Sequence, residues 1–121
     1  MKLLYSLVML LVLPDGQPKE STRAVYRAFD ERGGAAGFDE RRAAVLTALS
    51  RASALRDLAH LPRNDLVSSP VAAELEKLGA VRADVSGAGP TVYGLFEHPA
   101  DAERAATTAG TAGRTWLARP V

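Results

Sequence analysis

The sequence predicts an α+β fold of the ferredoxin-like, split βαβ type, an antiparallel sheet with helices on one face. Three observations predict it. Local signals follow the order strand, helices, strand, strand, helix, strand, which folds helices back onto one face of a sheet. Two of the strand signals are joined by the short segment Ser86-Gly87-Ala88-Gly89-Pro90, a hairpin-like connection. At 121 residues, with 47% apolar and 24% charged side chains, the chain has the size and composition of one domain with one core. Residues 1–121 are therefore expected to form a single domain.

The elements follow in order. The apolar run from Leu3 to Leu13 is too short to span a bilayer. It has the length of the apolar region of a secretory leader. However, only Lys2 precedes it, and Pro14, Asp15, Gly16, Gln17 and Pro18 offer no small-residue cleavage pattern. It is expected to be a strand, apolar on both faces and ended by Pro14 and Gly16. Ser21 or Thr22 caps a helix that sets Val25 and Phe29 on one face with Tyr26 beside them, and Gly33-Gly34 closes it. After the loop at residues 33–37, Asp39 starts a second helix with an apolar stripe of Val45, Leu46, Leu49 and Ala52, while Glu40, Arg41 and Arg42 face water. Leu55, Leu58 and Leu61 continue a helical period until Pro62. Ser69-Pro70 is a cap followed by proline at the first helical position; Val71, Leu75 and Leu78 form the buried stripe, and Gly79 ends the helix. Strands are expected over residues 81–85 and 91–96. A last helix runs from Pro99 through Ala109 with Asp101 and Glu103 in its first turn, and "RTWLARP" supplies a final strand anchored by Trp116.

Charge and composition exclude several functions. The formal net charge of +1 supplies no field for binding nucleic acid or an anionic membrane. The absence of cysteine rules out a disulfide framework, a thiolate nucleophile and a zinc knuckle, and is compatible with a cytoplasmic location. His60 and His98 lie far apart at element ends without metal-ligand spacing, so they read as surface residues. Ser86 lacks the glycine two residues before it that a nucleophile elbow needs, because Asp84 stands there. Asp84 itself reads as a solvated or loop-capping carboxylate, and the Asp39–Arg42 run as the wet face of a helix start.

Two segments remain as candidates. Gly87 and Gly89 can take positive φ and gather backbone N–H groups into a concave nest for an anion or oxyanion. No lysine follows them, and Pro90-Thr91 open a strand rather than a helix, so this is not a Walker loop. Taken alone, a glycine-rich hairpin turn is the simpler reading. Asn64-Asp65, within "LPRNDL", can cap a turn or contribute to a site, and turn chemistry is again simpler.

Read in sequence, "LVLPDG", "AVYRAFD", "RNDL", "LGA" and "VSGAGPTVYGLFE" resemble the C-terminal domain of the 4-diphosphocytidyl-2-C-methyl-D-erythritol kinases, a branch of the GHMP small-molecule kinases. The resemblance covers residues 10–121, and its most specific part is the ordered pair of Asn64-Asp65-Leu66 with the glycine segment. It implies a two-domain enzyme that transfers the γ-phosphoryl group of ATP to a hydroxyl of a cytidine-diphosphate-linked methylerythritol, in the non-mevalonate route to isoprenoids. It implies ATP with Mg2+ for the intact enzyme, with neither held strongly by this chain alone. Ser86, Gly87, Ala88, Gly89, Pro90 and Thr91 would form the cofactor-side loop, and Asn64 and Asp65 a substrate-binding or structural loop. No catalytic residue and no metal ligand is carried over, because the family's ATP loop, lysine and aspartate belong to an N-terminal domain that has no counterpart in the segments above. The partners implied are that N-terminal domain and a small-molecule substrate, with no nucleic acid and no membrane, and a homodimer through the exposed docking face is a further option. Without the missing parts the chain is expected to be inactive by itself. Met1 would then be an internal or mis-assigned start. Ala88 stands where the family often has Ser or Thr, and the span from Leu66 to Gly79 is shorter than usual by about two helical turns. The rival reading is a stand-alone ferredoxin-like module that binds a small molecule or a protein without catalysis.

Overall fold

Strand β1 (Val8–Pro14) lies inside a four-stranded antiparallel sheet, between β3 (Val92–Phe96) and β4 (Gly113–Ala118), with β2 (Arg82–Val85) on the outer side of β3. The computed structural model describes residues 7–16 and 21–120. Leu3 to Ser6 of the expected first strand, and Gln17 and Pro18 of the turn after it, lie outside the described residues. The order β2-β3-β1-β4 is that of the split βαβ sandwich.

The double-faced hydrophobicity of the first strand is explained by its inner position. Val8, Leu10 and Val12 are buried on the helix side, while Met9, Leu11 and Leu13 are half-buried on the other. Helices α3 (Pro70–Lys77) and α4 (Pro99–Ala109) cover the first face, as the element order predicts. Ser69 accepts a hydrogen bond from the Val71 N–H at 3.2 Å, with Pro70 in the first turn. Leu75 of α3 is fully buried with Phe96, Leu10, Val12 and Val92. Gly94, in the middle of β3, makes room for it: a Cβ there would stand 3.2 Å from Leu75 Cδ1 and 3.1 Å from Phe96 Cε2. From α4 the sheet receives Ala102, Ala105 and Ala109, small residues at helical spacing that let the helix approach closely.

Between β1 and α3 the chain inserts α1 (Thr22–Glu31), α2 (Phe38–Arg51) and a 3-10 turn (Leu55–His60). Ser21 caps α1 by accepting from the Ala24 N–H at 3.1 Å. Val25 is buried, yet Tyr26 is half exposed. The helical period expected to run on to Leu61 breaks at Ala52, whose backbone is extended, and resumes as the 3-10 turn. Asp57 starts that turn by accepting from the N–H groups of Ser53 and Ala54, both at 2.9 Å. These two bonds hold its carboxyl below the usual carboxylate range.

Two sequence expectations need correction. No residue of α2 is buried: Leu46 and Leu49, expected to face a core, are 50% and 51% exposed, and Phe38 is 60% exposed. Val45 and Ala52 of the stripe are half-buried, but among the described residues nothing covers Leu46 and Leu49. Trp116 is not an anchor of the core either. Strand alternation places it beside Leu11 and Tyr93 on the face away from α3 and α4, where it is 43% exposed under the Arg114 guanidinium.

Truncating Leu75→Ala is expected to cost about 3 kcal/mol in a denaturant titration. Leu46→Lys, on the uncovered stripe, should change stability by no more than about 0.5 kcal/mol. Because the Asp57 pKa is lower folded than unfolded, its contribution is complete above the ordinary carboxylate pKa. It is lost as pH falls through the lowered value. Amide exchange at Ser53 and Ala54, followed below pH 4, should show the turn opening there, and unchanged protection would contradict this.

Candidate functional site: the glycine hairpin and the segment that holds it

The segment from Leu61 to Val67 has no helix or strand of its own, so its backbone groups must be satisfied from elsewhere. The supplier is the short edge strand β2. Arg82, 4% exposed, donates from Nη1 to the Leu61 carbonyl and from Nη2 to the Pro62 carbonyl, both at 2.6 Å. Its Nε donates to the Tyr93 hydroxyl at 3.2 Å. Asp84 lies two residues on, hence on the same face, and its Oδ2 stands 3.3 Å from Arg82 Nη2. The same oxygen accepts from the Asn64 N–H at 2.8 Å, while Oδ1 accepts from the Val85 N–H at 2.8 Å. Asp84 is therefore loop-capping, as one of the two sequence readings had it, and buried rather than solvated.

Asn64 ties this segment to the hairpin. Its Nδ2 donates to the carbonyls of Val85 at 2.9 Å and Gly87 at 2.8 Å. Its Oδ1 accepts from the N–H groups of Leu66 at 2.8 Å and Val67 at 3.3 Å, closing a turn of its own. Asp65 faces the other way. Its Oδ2 pairs with Arg41 Nε at 3.1 Å, and the Asp65 and Leu66 carbonyls accept from Arg32 Nη2 at 2.6 and 2.9 Å. Arg41 is thus not merely part of a wet helix face: it also donates to the carbonyls of Gly34 and Ala36, joining the α1–α2 loop to Asp65. On the outer flank Arg63 donates to both Glu76 oxygens and to the Ala83 carbonyl. The Glu76 carboxylate raises the Arg63 pKa further above its ordinary value.

The hairpin itself turns at Ser86–Gly89, with the Gly89 N–H donating to the Ser86 carbonyl at 3.0 Å and the Ser86 N–H to the Thr91 carbonyl at 2.8 Å. Gly87 has φ 56° and Gly89 φ 81°, which glycine adopts without penalty. A Cβ on Gly89 would stand 3.2 Å from Val85 Cγ1. Ser86 and Gly87 are exposed; Ala88, Gly89, Pro90 and Thr91 are half-buried. Among the described residues, neither the Gly87 nor the Ala88 N–H donates a hydrogen bond. The hairpin so presents two backbone donors and the Ser86 hydroxyl, a donor set suited to an anionic oxygen.

Both segments singled out in the sequence are brought together, Asn64 by direct hydrogen bonds and Asp65 through the same turn. Sequence reading missed Arg82, whose signal was a charged pair at i, i+2 inside a strand, and the Arg41–Asp65 pair, for which the sequence carried no local signal. His60 and His98 are exposed, and the described residues hold no group of three His, Asp or Glu able to bind a metal ion. A cavity of about 530 Å³ lies against α2 and the 3-10 turn. A smaller one of about 240 Å³ opens beside Asn64, Asp84 and Ser69.

A family profile described as "GHMP kinases C terminal" matches residues 48–114, more than half of the chain. The chain belongs to the GHMP kinase C-terminal family. The matched span holds Arg63, Asn64, Arg82, Asp84 and the whole hairpin of this GHMP domain, whereas β1, α1 and most of α2 precede it. Among solved structures the GHMP chain is similar to homoserine kinase from Cytophaga hutchinsonii, at 16% identity and a TM-score of 0.46, over 97% of this chain. It spans 42% of that kinase's length. No curated protein matches it.

Asp84→Asn removes the anion that faces a buried guanidinium and should destabilise the chain by about 3 kcal/mol. Glu76→Gln, whose partner Arg63 is largely exposed, should cost no more than about 1 kcal/mol by the same denaturant titration.

Proposed function

We propose that this chain is the C-terminal domain, 1–121, of a GHMP-type 4-diphosphocytidyl-2-C-methyl-D-erythritol kinase and that it contributes the hairpin Ser86–Thr91 to a catalytic centre completed by an N-terminal kinase domain. The observation that carries the reading is the pairing of its two most specific segments: Asn64 donates directly into the glycine hairpin. The membership shown by residues 48–114 supports a phosphotransferase role in general, and the "RNDL" and "VSGAGPT" sequences support this branch in particular.

The hairpin's donors fit one anionic oxygen group, such as a nucleotide phosphate. They do not suffice for a whole nucleotide. In this reading ATP and its Mg2+ are held chiefly by the N-terminal domain, which also supplies the charges that stabilise a transferring phosphoryl group. The hairpin would orient a phosphate oxygen through the Gly87 and Ala88 N–H groups and the Ser86 hydroxyl, and exclude water beside it. No helix among the described residues is long and apolar enough to cross a membrane, and a cytoplasmic location goes with the proposed activity.

The exposed stripe of Phe38, Leu46 and Leu49 favours a covered partner face over a free-standing module. In the isolated chain the same stripe is available to a second copy.

The chain alone should show no ATP-dependent phosphorylation of 4-diphosphocytidyl-2-C-methyl-D-erythritol, and adding a separately expressed N-terminal GHMP kinase domain should restore turnover. If no such combination turns over this or another GHMP substrate, while calorimetry shows the chain alone binding a phosphorylated metabolite, the free-standing binding module is correct instead.

A further inference from the structure

A neutral asparagine side chain offers two N–H donors and a carbonyl oxygen with two lone pairs. In Asn64 all four are occupied within the chain, by the Val85 and Gly87 carbonyls on one side and the Leu66 and Val67 N–H groups on the other. Its own N–H is taken by Asp84. Neither its side chain nor its N–H can bind a substrate unless the turn is first broken. Within the tip the Gly89 N–H donates to the Ser86 carbonyl, and Ala88 and Gly89 are half-buried, but Gly87 itself is less constrained. A Cβ built on Gly87 meets no atom within 4 Å, and the residue is exposed, so packing does not fix its place. The hydrogen bond from Asn64 to the Gly87 carbonyl ties Gly87 to the segment at residues 61–67.

We propose that Asn64 is a positioning residue for the glycine hairpin and not a substrate contact, and that it sets where the Gly87 and Ala88 N–H groups stand before any ligand arrives. What the hairpin serves rests on the kinase reading above; that Asn64 orders it does not. Asp65 has a separate task, joining the same turn to α1 and α2 through Arg32 and Arg41. The neighbouring residues thus act in opposite directions, and only the first should affect the hairpin.

The test is 15N relaxation and amide exchange on the complete chain. Asn64→Asp keeps the volume and one acceptor oxygen but turns a carboxylate oxygen toward two carbonyls. It should leave the amide signals of β1, β3 and β4 in place, lower the order parameters of Gly87 and Ala88 from about 0.85 to below about 0.6, and speed exchange of the Gly89 amide about tenfold. Asp65→Ala should leave those values unchanged. Hairpin amides as ordered in Asn64→Asp as in the natural chain would overturn the proposal. Should that variant not fold, the natural chain decides. Asn64 Nδ2 protons protected from water support the proposal, and exchange as fast as in a free asparagine side chain refutes it. In a reconstituted kinase, Asn64→Asp should lower kcat tenfold or more with KM for the small-molecule substrate unchanged, whereas a rise in KM alone would make Asn64 a substrate contact. A natural pair without activity would fail the kinase reading and leave the relaxation result standing.

Discussion

A backbone segment with neither helix nor strand must find partners for its polar groups, and the region around the hairpin depends on how residues 61–67 do so. Arg82 receives the carbonyls of Leu61 and Pro62, Asp84 receives the Asn64 N–H, and Asn64 then reaches Val85 and Gly87. Each step presupposes the one before it. The guanidinium is tolerable in a nearly dry place because a carboxylate, two carbonyls and a tyrosine hydroxyl surround it. Among the described residues no buried side-chain nitrogen or oxygen lacks a partner, so the network is closed.

The hydrophobic part of the fold was legible because periodicity and punctuation agree there. Ser69-Pro70 gives one local answer, and for the apolar run from Leu3 to Leu13 and the glycine-rich connection the simpler of two local answers, strand and hairpin turn, is the one the sheet accepts over the described residues. Trp116 was misread because size suggests burial, whereas on an edge strand the alternation of faces decides, and it placed Thr115 rather than Trp116 toward the helices. Leu46 and Leu49 were misread for a different reason: an apolar stripe states that something should cover it, without stating that the cover belongs to the same chain. The site was half legible. The glycine hairpin and Asn64-Asp65 stood out as turn chemistry, but no local pattern announces a hydrogen bond between residues 64 and 87.

The domain has two regimes of packing. The sheet with α3 and α4 forms a continuous core, while α1 and α2 lie outside it, are tied to the Asp65 turn by Arg32 and Arg41, and present apolar residues outward. Membership of the GHMP kinase C-terminal family rests on residues 48–114, which hold α3, β2, β3 and α4, and so chiefly on the first regime.

The inner place of β1 has a kinetic consequence. Its neighbours β3 and β4 come from residues 92–96 and 113–118, at the far end of the chain. Among the strands of this sheet, the first to be synthesised therefore waits for most of the domain before either of its edges is paired. Loop closure over such separations is slow compared with local helix formation, and an apolar strand with two open edges is a template for association. During synthesis this domain has to carry an apolar strand with both edges open until residues 92–96 arrive, and with one edge open until residues 113–118 do.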